Sequence, residues 1–368
     1  MKIIYPREQF LSGVSIVSSI CSGKTTKPIL QNMKFVATKQ ELQILGTDLE
    51  VAMRYKMPGD GVQEEGEAVV SASKLLSILR ECSGDTVEFQ TDQRVCSIIS
   101  SDGKFKLVGD DPEEFPNIHV FGDEGYTNVN AALFNRYVSL TSFAAARDMG
   151  RYAFNGILLE IREKGIQLVA TDGRRLAVAG NGSDSNPVVS SAIVPVKGLQ
   201  QMGKGFTTEE NQELWLKIDN DKNQVVMKTS CMEVAARKLE GEFPKYSEVV
   251  PASSEKKAFL GKEELLAAIR KTSITAGEEA RSVRFSFNPG KLTVFSRHEG
   301  VGEAEVEIPV KYDDEPIEIT YNPDFVLDYL RVLDSDEVRI EFRDNMSAGL
   351  FVGGEETLYV VMPITTKS

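Results

Sequence analysis

Two segments of the chain, LQILGTD at residues 42–48 and IQLVATD at residues 166–172, place a Thr-Asp pair at the end of a strand-like run. The two pairs are 124 positions apart. The Phe-Pro pairs at residues 115–116 and 243–244 recur at a similar interval of 128 positions. Landmarks that recur at a nearly fixed period predict an internal structural repeat.

Three predicted helix starts recur at nearly the same interval. They lie near Ser71, Pro195 and Asn322, with 124 positions between the first two and 127 between the last two. Apolar residues spaced by three and four positions lie around these landmarks, so each repeat is expected to carry two amphipathic helices. Between the helices, apolar and polar residues alternate, as at Val87 and Phe89, which predicts antiparallel strands with one buried face. The predicted fold class is therefore α+β, with two helices packed on antiparallel sheets in each of three repeated domains.

The 368 residues thus divide into three domains of about 120 residues each, a size that can bury its own core. We expect an N-terminal domain at 1–121, a central domain at 127–251 and a C-terminal domain at 256–368. The polar segments 118–126 and 251–257 read as the linkers between them.

Composition excludes several classes of protein. The chain is 41% hydrophobic and 26% charged. No apolar run approaches about 18 residues, which argues against a membrane span, and residues 1–10 lack the pattern of a secretory signal. The four cysteines, at positions 21, 82, 96 and 231, form no CxxC pair and predict free thiols in a reducing cytoplasm. The net charge of −13 taken alone argues against a nucleic-acid binder, so the distribution of charge decides that question.

Motifs for catalysis are missing. Gly23-Lys24-Thr25 resembles the end of a phosphate-binding loop, but Ser18 stands where that loop needs a second glycine. Two histidines and the cysteine spacing supply no metal-ligand set, so no metal and no cofactor is predicted. Asp48 and Asp172 are repeat-equivalent carboxylates at strand ends, where such side chains commonly cap turns.

Seven segments, spread over all three repeats in order, closely resemble the bacterial β sliding clamps, the processivity subunits of the DNA polymerase III holoenzyme. They are Lys27-Pro-Ile-Leu-Gln-Asn32, Gly46-Thr-Asp-Leu-Glu50, Glu114-Phe-Pro116, Asn155-Gly156, Thr171-Asp-Gly-Arg-Arg-Leu176, Gly241-Glu-Phe-Pro244 and Val360-Val-Met-Pro363. The resemblance implies a head-to-tail homodimeric ring in which two three-domain chains close around duplex DNA. It also implies a non-enzymatic function: tethering the replicative polymerase so that DNA synthesis is processive.

The resemblance implies that basic side chains in or beside the helices contact DNA phosphates without reading sequence. The expected DNA-binding residues are Lys24, Lys74, Arg80, Arg136, Lys197, Lys204, Arg270 and Lys271.

It further implies a cleft between the second and third domains that accepts a short, mostly apolar peptide of a partner protein. The expected partners are the polymerase α subunit, the clamp-loader complex, and repair and translesion polymerases. The matching residues are Phe154, Thr171, Gly173, Arg174, Arg175, Leu176, Pro244, Val249, Asn322, Phe325, Ser347, Val360, Met362, Pro363 and Ile364.

The implied dimer interface joins the first domain of one chain to the third domain of the other. Opposite charges around an apolar centre would set its register. The expected interface residues are Lys74, Lys104, Phe105, Leu107, Ile274, Glu303 and Glu305.

Two other functions stay open at this point. One is an enzyme that uses Asp48 or Asp172 in a cleft, which requires a convergent cluster of perturbed acids and donors. The other is a repeat scaffold that binds proteins only.

Overall fold

The computed structural model describes residues 1–21, 25–118, 122, 124–147, 152–180, 186–203, 213–251, 254, 256–277 and 281–365. These residues form six α-helices and four antiparallel sheets. The helices are α1 Arg7–Ser18, α2 Ala72–Glu81, α3 Ala131–Ser142, α4 Val196–Gly203, α5 Lys262–Thr272 and α6 Pro323–Val332.

Strands occupy most of the remaining described chain. The first repeat has β1 Lys2–Pro6, β2 Asn32–Ala37, β3 Glu41–Thr47, β4 Val51–Pro58, β5 Val62–Glu64, β6 Gly66–Ser71, β7 Thr86–Asp92, β8 Val95–Ile99 and β9 Lys104–Val108. The second has β10 Thr127–Asn130, β11 Gly156–Arg162, β12 Gly165–Thr171, β13 Arg175–Gly180, β14 Val188–Pro195, β15 Glu213–Asp219, β16 Gln224–Lys228 and β17 Met232–Arg237. The third has β18 Lys256–Gly261, β19 Val283–Asn288, β20 Lys291–His298, β21 Gly302–Pro309, β22 Ile317–Tyr321, β23 Glu337–Phe342, β24 Gly349–Val352 and β25 Thr357–Val361.

The first compact unit contains residues 1–133 and 197–238. It holds a five-stranded sheet, in the order β5-β1-β7-β8-β9, and an eight-stranded sheet, in the order β10-β15-β16-β17-β4-β3-β2-β6. The eight-stranded sheet joins two repeats, because β17 pairs with β4 from Met232 opposite Tyr55 to Ala236 opposite Val51. Its core centres on aromatic rings, with Phe35 and Phe89 only 5.1 Å apart between centroids.

The second compact unit contains residues 134–196 and 239–368. Its eight-stranded sheet has the order β14-β11-β12-β13-β25-β24-β23-β18, and its four-stranded sheet the order β21-β20-β19-β22. Here β13 pairs with β25 across a repeat boundary, with Leu176 opposite Val360. The rings of Tyr329 and Tyr359 stack at 4.8 Å between α6 and the sheet.

The compact units therefore differ from the sequence repeats. The helices and antiparallel strands lie where the periodicity predicts them, but the central repeat divides its strands between the two units. Both large sheets continue across a repeat boundary, because a strand of one repeat pairs with a strand of the next.

The apolar spacing predicts a buried stripe of Leu133, Tyr137, Leu140 and Ala144 in and beside α3. The last three are buried, whereas Leu133 is 40% exposed and the adjacent Phe134 is buried instead. All four cysteines are free thiols, with Cys82 and Cys96 buried. No helix among the described residues is both long and apolar enough to cross a membrane.

Candidate functional site

The turn from β12 to β13 shapes the candidate site. The Thr171 hydroxyl donates to the carbonyl of Arg175 at 2.6 Å and accepts from the Gly173 N–H at 3.1 Å. The Asp172 carboxylate accepts from the backbone N–H groups of Arg174 and Arg175 at 2.9 and 3.1 Å. Asp172 thus caps the turn, as the sequence predicts, and this turn sets the direction in which β13 leaves.

An apolar cavity of about 200 Å³ opens beside this turn. Ten of the fifteen predicted cleft residues line it: Phe154, Thr171, Gly173, Arg174, Arg175, Leu176, Pro244, Val249, Val360 and Met362. The floor is buried, with Leu176 3% and Val360 1% exposed, and it continues into the hydrophobic core of this unit. At the rim, Val249 and Met362 are 50% and 43% exposed, so the apolar lining of the cavity continues to its opening.

Tyr246 also lines the cavity and was missed by the sequence analysis. Its hydroxyl donates to the Glu160 carboxylate at 3.0 Å and accepts from the Gln167 amide at 2.6 Å. Arg162 completes the network with a 2.7 Å contact to Glu160. Burial, together with the Glu160 carboxylate, raises the pKa of Tyr246, and the hydrogen bonds to Glu160 and Gln167 hold its ring as one wall of the cavity. Its position two residues after Pro244, a predicted cleft residue, is the sequence feature that could have identified it.

The Arg175 side chain mainly holds the site together and leaves little of its guanidinium open to a ligand. Its guanidinium donates to Asp172 at 2.9 Å, to Asp328 at 2.8 Å and to the carbonyl of Phe143 at 2.7 Å. The guanidinium carbon lies 4.4 Å from the centroid of the Phe325 ring. Arg175 therefore fastens the β12–β13 turn to α6, and its hydrogen-bonding capacity is largely used within the fold.

A second, larger cavity of about 910 Å³ shares Gly173, Arg174 and Arg175 with the apolar one. Asn322 and Phe325, two further predicted cleft residues, line this larger cavity. The Asn322 side chain also caps α6 by accepting from the Asp324 N–H at 2.9 Å. The predicted single cleft is thus a small apolar cavity joined to a wider, charged one.

Three predicted cleft residues line neither cavity. The Ser347 hydroxyl donates to Asp344 at 2.9 Å and accepts from Arg343 at 3.0 Å. Pro363 is half-buried, and Ile364 donates its N–H to the Thr320 carbonyl at 2.8 Å, which fixes the chain beyond β25.

The predicted DNA-binding residues fall into three groups. Lys74 and Arg80 on α2, and Arg270 and Lys271 on α5, are exposed and have no ion-pair partner among the described residues. The exposed Arg136 pairs with Asp334 at 2.6 Å, and Lys197 pairs with Asp48. Lys24 and Lys204 lie outside the described residues.

Six of the seven predicted interface residues lie at free sheet edges or on a short turn, and the seventh, Lys74, lies on helix α2. Strand β9 is the edge of the five-stranded sheet, with Lys104 exposed, Phe105 38% exposed and Leu107 half-buried. Strand β21 is an edge of the four-stranded sheet and exposes Glu303 and Glu305. Ile274, on the turn after α5, is 76% exposed. Among the described residues, no group of His, Cys, Asp and Glu side chains could hold a metal ion.

Three family models match consecutive parts of the chain. They describe the N-terminal domain of the DNA polymerase III beta subunit at residues 1–119, its central domain at 128–245 and its C-terminal domain at 247–365. The beta sliding clamp of Vibrio cholerae is 30% identical over 99% of this chain and 100% of its own length. That of Pseudomonas putida is 29% identical over the same shares.

Solved structures agree with the sequence comparisons. The crystal structure of the DNA polymerase III subunit beta from Pseudomonas aeruginosa is 27% identical and superimposes with a TM-score of 0.90, with both chains fully covered. A structure of the Pseudomonas aeruginosa sliding clamp bound to griselimycin gives a TM-score of 0.91 at the same identity and coverage. The chain therefore belongs to the DNA polymerase III beta subunit family, the β sliding clamps.

Proposed function

We propose that this sliding clamp encircles duplex DNA and tethers the replicative polymerase by binding a short apolar segment of it in the cavity around Leu176. The clamp itself is non-catalytic. The observation that carries the docking proposal is the gathering of ten predicted cleft residues, from distant parts of the sequence, around one apolar cavity.

The dimensions of the cavity favour a peptide over a cofactor. Its volume of about 200 Å³ is smaller than the roughly 300–1,000 Å³ typical of small-molecule sites. It suits one or two apolar side chains, with the rest of a peptide lying along the rim. The flexible Met362 side chain at the rim can adapt to partners of different sequence.

Arg174 supplies the polar complement of the cavity. Its side chain is exposed and lines both cavities, whereas the neighbouring Arg175 is committed to the fold. We assign to Arg174 the recognition of a polar or acidic group of the peptide, at the junction between the two cavities.

The test compares two methionines of the same structural unit. Met362 lines the cavity and Met346, 66% exposed, does not. Removing the Met362 side chain should lower the affinity of a fluorescein-labelled peptide from the clamp-binding segment of the polymerase α subunit by roughly tenfold, because about 1.5 kcal/mol of apolar burial is lost. Fluorescence anisotropy measures the effect, with Met346→Ala as the control. Equal affinities for Met362→Ala and the parent protein would place the peptide elsewhere.

For DNA, we propose phosphate contacts by the exposed cations of the helices. Lys74, Arg80, Arg270 and Lys271 are the primary candidates because their charges have no carboxylate partner among the described residues. Arg136 and Lys197 would exchange a carboxylate for a phosphate, which lowers their net contribution. Such contacts hold DNA without selecting a sequence, as sliding requires.

For assembly, we propose a head-to-tail homodimer in which β9 of one protomer meets β21 of the other. Both strands lie at a sheet edge and so offer unpaired backbone groups. In this arrangement Lys104 of one protomer would lie opposite Glu303 and Glu305 on β21 of the other. Phe105, Leu107 and Ile274 would supply the apolar centre.

The remaining assignments follow from this function. We propose repeat boundaries at 1–121, 127–251 and 256–368 and a cytoplasmic location. The clamp-loader complex, repair polymerases and translesion polymerases would bind the same cavity. They would therefore compete there with the replicative polymerase.

A further inference from the structure

The turn from β3 to β4 repeats the geometry of the turn beside the docking cavity. The Thr47 hydroxyl donates to the Val51 carbonyl at 2.9 Å and accepts from the Leu49 N–H at 3.0 Å. The Asp48 carboxylate accepts from the N–H groups of Glu50 and Val51 at 3.0 and 2.7 Å. These four bonds correspond to those of the β12–β13 turn, 124 residues later. Leu49 even adopts a positive φ of 77°, close to the 88° of Gly173.

The neighbouring strand is repeated as well. Strand β4 places Ala52 opposite Ala235, as β13 places Leu176 opposite Val360. At the end of β17, the partner strand of β4, the Arg237 N–H donates to the Glu50 carbonyl at 2.9 Å. The Met362 N–H donates to the Arg174 carbonyl at the same distance. Arg237 therefore holds the place in the first compact unit that Met362 holds at the rim of the docking cavity.

A cavity of about 540 Å³ opens at this repeated position, entirely within the first compact unit. Its apolar surface comes from Ala52, Ala235, Pro116 and Ile118, and its upper edge from the Thr47 turn. Small alanines replace the Leu176 and Val360 of the docking cavity, which accounts for the greater width. The fold thus repeats the turn and the strand pairing of the proposed docking cavity at this position, with different side chains.

The charges differ between the two sites in a way that selects the occupant. Glu50 stands at the position of Arg174, and Arg237 replaces the uncharged Met362. The lining carries two cationic side chains, Lys222 and Arg237, against one carboxylate. No carboxylate of the described residues forms an ion pair with Arg237. The exposed Arg237 guanidinium at this rim is therefore complementary to an acidic group of a ligand.

We propose that this cavity is a second docking site, which takes an acidic-apolar peptide segment of a partner protein, with the acidic side chain on Arg237 and an apolar side chain over Ala52 and Ala235. Because its rim charges differ from those of the first site, the two sites would select different segments and could be occupied together. The clamp would then hold two segments on each chain.

The test uses the full-length clamp with ¹³C-methyl labels on alanine and methionine. Ala52 and Ala235 report on the proposed site, and Met362 reports separately on the docking cavity. The probe is the peptide acetyl-Leu-Asp-Leu-amide, and acetyl-Leu-Lys-Leu-amide is its charge-reversed control. We expect saturable shifts of the Ala52 and Ala235 methyl signals with the Asp peptide and weaker binding of the Lys peptide.

The variant Arg237→Met installs the side chain that the docking cavity has at this position. It should lower the affinity for the Asp peptide, measured from the Ala52 and Ala235 signals, by about two- to fivefold, which is the range for losing an exposed ion pair. The variant should also bind the Asp and Lys peptides equally well. Unshifted Ala52 and Ala235 signals at millimolar peptide would overturn the proposal, as would equal binding of the two peptides to the parent protein. Shifts at Met362 alone would also refute it, while leaving the first docking site intact.

Discussion

Replacing Arg175 by methionine separates two roles that the sequence alone confuses. The family resemblance places Arg175 among peptide-binding residues, yet its guanidinium contacts Asp172, Asp328 and the Phe143 carbonyl within the fold. Methionine keeps much of the apolar stem that packs on Phe325 and removes only the charged head. We expect Arg175→Met to destabilise the protein first and to weaken the peptide as a consequence.

The size of the effect follows from burial. The side chains of Arg175, Asp172 and Asp328 are 7%, 18% and 23% exposed. Breaking a buried ion pair on one side costs about 3–5 kcal/mol. Asp172 keeps its backbone N–H bonds and Asp328 keeps Arg331 at 3.3 Å, so the cost falls at the lower end, about 3 kcal/mol.

Two measurements check this expectation. Urea unfolding followed by circular dichroism should show a midpoint lowered by roughly 1 M, for a urea slope of about 3 kcal/mol per molar. Hydrogen exchange should quicken in β13, β25 and α6, while β4 and β17 keep their protection. Arg174→Met, at the exposed neighbour, should weaken the peptide without moving either readout. If Arg175→Met abolished peptide binding at an unchanged urea midpoint, Arg175 would contact the peptide directly and our reasoning would fail.

Three further predictions concern DNA, assembly and pH. Lys74→Ala and Arg80→Ala should each reduce the slope of log affinity against log salt by about 0.9, equally on unrelated duplexes, and a sequence-selective loss would exclude phosphate contacts. Phe105→Arg combined with Ile274→Arg should convert the dimer to a monomer in analytical ultracentrifugation, whereas a retained dimer would disprove the proposed interface. Burial raises the pKa of Tyr329 from 10.0 to about 12, so Tyr329 ionises first in the unfolded chain. Its contribution to stability should therefore be constant below pH 10 and be lost as the pH rises from 10 to 12. An unchanged urea midpoint at pH 11 would contradict that assignment.

Local features of the fold were accessible from the sequence because they depend on residues within four positions of one another. The Asp48 and Asp172 turns and the Asn322 cap belong to this class, since each side chain bonds to nearby backbone. The helices and alternating strands follow from hydrophobic periodicity. Leu133 shows the limit, because the neighbouring Phe134 takes the interior position predicted for it, while Tyr137 and Leu140 are buried as predicted.

Long-range features were not accessible in the same way. The pairing of β4 with β17 joins strands about 180 positions apart, and periodicity carries no information about which strand completes a sheet. The resemblance supplied most of the docking residues, but it could not show that Arg175 is committed to Asp172 and Asp328. Tyr246 escaped notice because its role depends on Glu160 and Gln167, which only the folded chain brings to it.

The sheets that continue across repeat boundaries bear on how such a protein can be shortened or can arise. A fragment that ended after the first repeat would leave β4 without β17, and its open edge would invite aggregation. A chain of one repeat alone would therefore need a strand from a second copy to cover that edge, whereas in the full chain the next repeat supplies it.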